Sequence, residues 1–196
     1  MSDFSAVRAA TETLQALLKT NITDSTDPQL AGVPIDLRSP KEMRQASATG
    51  VSLWLYRVTR DPDLLNRPPD RTSPNVQPRP GLPIHLYYLV TPMTTATEDK
   101  QTLLGRVLQV LNDYAIIQGA DLQGTLAQND QELRVTLETL THDEISRIWM
   151  ALEEHYDLSV TYEVQVVTID SDLEPLQTMA VLHKSGRYAQ ILSESQ

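Results

Sequence analysis

The sequence predicts an α+β fold: a mostly antiparallel sheet with helices packed on one side. Three observations predict it. Apolar residues recur at spacings of three and four in three separate stretches, the helical period. Four other segments, GVSLWLYRVTR, IHLYYLVTP, ELRVTLETL and LSVTYEVQVVTID, alternate with the period of strands. The order is helix, a short optional strand, two strands in succession, then helix, strand, helix, strand, and the two successive strands are suited to pair as a hairpin.

The first helix spans about Phe4 to Lys19, with Val7, Ala10, Leu14, Leu17 and Leu18 on one side and Ser2 or Asp3 as its cap. Residues 21–33 are turn-rich, and PIDLRS offers a short strand. From Val51 to Thr59, Val51, Leu53 and Leu55 alternate with Ser52, Trp54 and Tyr56, so both faces carry bulk and burial on two sides is expected. Seven of the twelve prolines then fall between Pro62 and Pro83. Proline cannot donate to a ladder, so 61–83 is a long extended loop that leads into IHLYYLVTP. Thr97 to Tyr114 is the best helix, capped by Thr97, with Glu98 and Asp99 favouring its N-terminus. Gly105 inside it marks a close packing approach. A loop, AIIQGADLQG, leads to ELRVTLETL. Thr141 and Glu144 have capping-box spacing and open a helix carrying Ile145, Ile148, Trp149 and Leu152. The last strong strand places Leu158, Val160, Tyr162, Val164 and Val166 on one face. The chain divides into a domain over 1–170 and a short tail, 171–196, in which MAVLH could add an edge strand.

Composition narrows the function. A chain of 196 residues, 40% of them hydrophobic, can bury one sizeable core. Sixteen Lys and Arg are scattered among 26 Asp and Glu, for a net charge of −10, so nucleic acid is not an expected partner. Direct contact with an anionic membrane is disfavoured for the same reason. There is no cysteine, which excludes thiolate catalysis and disulfides. The N-terminus lacks the basic and apolar regions of a secretory signal, no run is long enough to cross a bilayer, and a cytoplasmic product is expected.

One stretch resembles chemistry. EEHYD, Glu153 to Asp157, packs three carboxylates, a histidine and a tyrosine into five residues. Its i, i+3 pair is Glu153 and Tyr156, and tyrosine is an uncommon ligand. The other histidines, His85, His142 and His183, show no ligand spacing, so four zinc ligands cannot be assembled locally. No G-x-S-x-G elbow and no glycine-rich phosphate loop is present. The expectation is a structural joint with no catalytic residue, metal or cofactor, in which Glu153 and Glu154 face water or a neighbouring subunit. His155 and Tyr156 cover the core at the bend. Arg106 and Arg147 read as helix surface or inter-subunit ion pairs, and Trp54 and Trp149 as core.

Five segments in order carry a family resemblance: MSDFSAVRAATETLQALL, VSLWLYRVTRDPDLLNR, LPIHLYYLVTP, LLGRVLQVLNDYAIIQG and ISRIWMALEEHYDLSVTYEVQVVTIDS. Together, over about 1–171, they resemble the N-terminal domain of tail-terminator, or cap, proteins of extracellular contractile injection systems. These are phage-tail-like particles of the Photorhabdus virulence cassette and antifeeding prophage kind. The resemblance implies a ring, expected to be a hexamer, that ends the inner tube and joins the last sheath layer. It implies assembly in the bacterial cytoplasm and then residence in the particle, released or cell-associated. Longer members carry a further C-terminal region, whereas about 25 residues follow Ser171 here.

A closed ring needs two different contact faces on each protomer. The candidate inter-subunit contacts are Pro68, Pro69, Arg71, Pro78 and Arg79 in the proline-rich loop, with Arg106, Arg147, Glu153 and Glu154. Residues 62–82 are expected to touch a neighbouring subunit or the sheath. Two other readings of the chain remain: a small metal-dependent hydrolase using Glu153, His155 and neighbouring acids, and a tail-completion protein of an ordinary phage.

Overall fold

A computed structural model describes residues 4–64, 76–77, 79–128, 131–174 and 176–177. Helix α1, Ala6–Leu18, runs into a π-helical turn at Lys19–Thr23. It is followed by β1 (Ile35–Asp36), α2 (Pro40–Gln45), β2 (Gly50–Arg60), β3 (Val76–Gln77) and β4 (Leu82–Met93). Then come α3 (Thr97–Asp113), β5 (Ile116–Gln118), β6 (Glu132–Glu138), α4 (His142–Ala151), β7 (Val160–Ile169) and β8 (Leu176–Gln177). The main sheet has the order β1-β2-β4-β7-β6-β5, with β3 and β8 forming a separate two-stranded pair. Every pairing is antiparallel except that of β1 with β2.

The hairpin read from the sequence forms, with Gly50 opposite Met93 and Arg60 opposite Ile84. Alternation along its strands sorts side chains onto two faces. On the near face, Val51, Leu53, Leu86, Tyr88 and Val90 pack with Ala10, Leu14, Leu18, Leu103, Val107 and Leu111 of α1 and α3. On the far face, Leu89 and the half-buried Trp54 and Tyr56 meet Trp149 and Leu152 at the end of α4. The α+β class and the mostly antiparallel sheet are as expected. The helices, however, are divided between the two faces rather than collected on one, which is why the hairpin needs bulk on both sides.

Other elements differ from the sequence reading in ways that have physical causes. Helix α2 was not anticipated, although Ser39 and Glu42 form a full capping box with Pro40 in the first turn. Ser5, not Ser2 or Asp3, holds the N-cap position of α1, and its hydroxyl lies 3.2 Å from Thr125 Oγ1 instead of capping. Ala96, not Thr97, holds the N-cap position of α3, which has no side-chain cap. Gly105 faces open space, so no close approach explains it. A glycine that does permit one is Gly50: with φ +135°, a Cβ there would lie 2.4 Å from the Pro34 carbonyl oxygen, which accepts from the Val51 N–H. The supposed loop AIIQGADLQG contains β5. In β7 a bulge between Val164 and Val167 shifts the phase, so Val167 rather than the even-numbered series continues the near-face core. Of the proline-rich stretch, 65–75 and Pro78 lie outside the described residues, as does MAVLH.

Candidate assembly surfaces

The joint at EEHYD is built by two helix ends. Helix α4 begins with the expected capping box at Thr141 and Glu144. It ends with the Glu153 N–H donating to the Met150 carbonyl (3.0 Å) and the Glu154 N–H to that of Trp149 (3.2 Å). This is a Schellman stop, and its left-handed residue, usually glycine, is Glu153 at φ 55°. Helix α2 stops in the same way, with Ser47 at φ 50°, its N–H bonded to the Arg44 carbonyl and the Ala48 N–H to that of Met43.

Ion pairs tie the two ends together. Lys41 Nζ meets Glu153 at 2.6 Å, and Arg44 reaches both Glu154 (2.7 Å) and Asp157 (3.0 Å). Lys100 of α3 meets Asp157 at 2.7 Å. Burial would raise the Asp157 pKa, but Lys100, the Leu158 amide and Arg44 outweigh it and leave the carboxyl below its ordinary value. The Arg44 guanidinium lies 5.6 Å from the centroid of the Trp149 ring, and Tyr156 meets the same indole edge-on at 6.2 Å. The acids of EEHYD are thus used in holding α2, α3 and α4 to the start of β7. Glu153 is exposed as expected, whereas Glu154 is largely buried by Arg44; Tyr156 touches Trp149 but is half exposed, and His155 is exposed as well.

A second polar assembly crosses the far face at the end of β2. A bulge in β2 leaves Tyr56 without a register partner and brings Arg57 opposite Tyr87. The guanidinium of Arg57 sits 3.8 Å from the Tyr87 ring centroid and pairs with Glu138 of β6 at 2.8 Å. Tyr56 donates to the other oxygen of Glu138, and Tyr87 donates to Glu163 of β7. His85 lies between two carboxylates, with Nδ1 2.6 Å from Glu163 and Nε2 3.0 Å from Asp61. Burial works to raise the Asp61 pKa, but His85 and the amides of Asp63 and Leu64 overcome it, and the net shift is downward. Asp61 is where the chain leaves β2 for the proline-rich loop. Among the described residues no three His, Asp or Glu side chains come together as metal ligands.

A third feature is a groove of about 580 Å³ between α3 and the outer edge of β6, lined chiefly by Leu108, Leu111, Ala115, Val135, Leu137 and Tyr162. The β5 ladder ends at Ile116 opposite Arg134, with one further bond from the Val135 N–H to the Ala115 carbonyl. Beyond it, 136–138 of β6 have no strand on that side among the described residues. Burial pushes the Tyr162 hydroxyl up to about 12, and this hydroxyl has no hydrogen-bond partner among the described residues. Leu137 and Ile116 stand about half exposed at the rim.

The sequence-derived contact residues are dispersed. Pro68, Pro69, Arg71 and Pro78 lie outside the described residues. Arg79, at the exit of the loop, donates to the Glu174 carbonyl, next to the β3–β8 pair. Arg106 donates to the Asn21 carbonyl and to Gln109, and Arg147 pairs with Asp143 one turn earlier on the outside of α4. Only Glu153 and Glu154 lie together. Neither the groove nor the polar assembly around His85 was legible, because each depends on which strand ends where.

Solved structures that share this fold include two tube-end proteins. One is the sheath/tube terminator of an extracellular contractile injection system, PVC, in its extended state, with a TM-score of 0.62, 19% identity and 97% of this chain covered. The other is the tube-terminating cap of the anti-feeding prophage, with a TM-score of 0.60, 15% identity and 91% covered. The chain spans 65% and 60% of their respective lengths. Its fold is thus the fold of tube-terminating proteins, as the sequence resemblance implied. The chain belongs to the Pvc16 N-terminal domain family, whose sequence profile matches residues 9–183. No curated protein matches it.

Proposed function

We propose that this chain is a structural cap of a contractile injection system. It forms a ring, a hexamer by the resemblance, that ends inner-tube growth and joins the distal sheath layer. The observation that carries this reading is a terminator fold reproduced over nearly the whole chain, together with membership of the family. The role is mechanical rather than enzymatic, and its partners are other copies of the chain and the tube and sheath proteins.

A terminator presents one face to the tube end and another that offers no docking surface to the next tube ring. Weak contacts repeated around a ring act together, so modest affinity per subunit suffices to hold it. In this reading the body is the domain over 1–170, and 171–196 is its tail. The contacts comprise the proline-rich loop, Arg79 included, with Arg106, Arg147, Glu153 and Glu154. Assembly takes place in the bacterial cytoplasm, and the cap then remains in the particle. No helix among the described residues is long and apolar enough to cross a membrane. Particles from a strain lacking the gene should show tubes of uncontrolled length or fail to persist, by negative-stain imaging. Stable particles of normal length would overturn the reading.

A further inference from the structure

We propose that the edge of β6 left open among the described residues, and the groove beside it, receive the C-terminal segment of a second copy, with Met179–His183 adding as a strand along Thr136–Glu138. This rests on the ring reading above.

The acceptor is half a sheet position. Strand β5 fills the edge only as far as Arg134, because the chain enters it at Ala115 directly from α3. In an antiparallel pair, alternate residues turn both backbone polar groups to the same side. The Val135 N–H points outward to Ala115, so the Leu137 N–H and carbonyl point outward too, into the groove. An added strand would bond them and cover the half-exposed Leu137 and the partly buried Leu108 at once. Main-chain bonds supply affinity in such additions and alternate side chains supply specificity. Among the other edges left unpaired in the described residues, that of β2 beyond Ser52 is bent by the Tyr56 bulge and carries Arg57 and Arg60, features that discourage strand addition.

The donor follows from what the chain has to offer. Nineteen residues follow Gln177, and MAVLH, laid out as a strand, would place Met179, Val181 and His183 on one side. Residues 178–192 include Lys184 and Arg187 and no acid, in a chain of net charge −10. The acceptor has the opposite character. Helix α3 ends at the groove with no basic residue in its last turn and with Asp113 exposed, so the negative end of its dipole is uncompensated there. A tail leaving one part of the fold and a groove on another make a heterologous contact, the kind that closes rings.

The absence of native cysteine makes the test direct. Leu137→Cys and Val181→Cys are made in separate full-length chains, mixed and oxidised, and also combined in one chain. The expected result is a covalent dimer from the mixture and a ladder of linked copies from the double variant on a non-reducing gel. A link only within single chains, or no link, overturns the proposal. A chain ending at Gln177 should keep a cooperative melt and lose self-association at least tenfold. Rings that persist after this truncation overturn the tail contact and leave the ring reading standing, whereas a full-length chain that stays monomeric overturns both.

Discussion

The two faces of the sheet are held by different means. On the near face, α1 and α3 lie on an almost wholly apolar layer, and of its two buried phenols Tyr88 is matched to the Thr11 hydroxyl at 2.8 Å. On the far face, the apolar contact is a small cluster around Trp149, and the rest is stitched by charge, from Lys41–Glu153 through Arg44–Asp157 to Arg57–Glu138 and His85. The near face follows the area rule, in which each buried leucine contributes about 1.5–3 kcal/mol. The far face depends on geometry, because a buried charge stabilises only when it is paired. The difference identifies the near face as the scaffold and the far face as the side on which elements are set at fixed angles.

Leu86 and Leu89 set these modes against each other within one strand, since both are fully buried and they point to opposite faces. Leu86→Ala should cost about 3–5 kcal/mol, near the upper end of the range for leucine truncation, because the layers around it cannot collapse. Leu89→Ala should cost about 2–3 kcal/mol, because α4 is attached along one short cluster and can settle. Denaturant melts of both variants measure this. Equal costs would mean that the far face is packed as rigidly as the near one.

How much was legible follows the same division. Periodicity reports burial, so the near-face helices and the four long strands were visible, and so was the capping box at Thr141 and Glu144. Helix α2 was missed although Ser39-Pro40-Lys41-Glu42 carries the same signal, because six residues are too few to show a period. The split of helices between faces was implicit in the bulk on both sides of Val51–Thr59, but periodicity does not say which helix covers which side. EEHYD resembled a site because sequence shows acids without their partners. Those partners, Lys41, Arg44 and Lys100, lie 57 to 113 residues away. The bulges at Tyr56 and before Val167 are matters of register, which no local pattern encodes.

Asp157 gives the next largest effect. It joins α2 and α3 to the start of β7, and Asp157→Asn should cost about 1.5–3 kcal/mol at neutral pH, the usual range for a hydrogen bond to a charged group. Its folded pKa lies below the ordinary value of about 3.9. The stabilisation is therefore fully present above that value and is lost as pH falls through the lower folded one. The stability gap between the natural chain and Asp157→Asn should be constant from pH 7 to 5 and close at more acid pH. Thermal melts across pH 2.5–7 test this, and a gap that widens on acidification would show that Asp157 acts through packing rather than charge.

The smallest effect should have the opposite sign. Glu153 occupies the left-handed stop of α4, where a Cβ is unfavourable and glycine is the usual residue. Its side chain is 80% exposed and its contact with Lys41 is a surface ion pair, the kind that contributes little. Removing the Cβ should relieve more than the lost pair supplied, so Glu153→Gly should raise Tm by roughly 2 °C, within the scale expected for a chain of this size. Glu153→Gln keeps the Cβ and removes the charge, and should leave Tm unchanged within about 1 °C. The pair separates backbone from charge at the joint. A fall in Tm for both would place Glu153 with Asp157 as part of the electrostatic stitching, and the far face would then depend on charge even where it meets solvent.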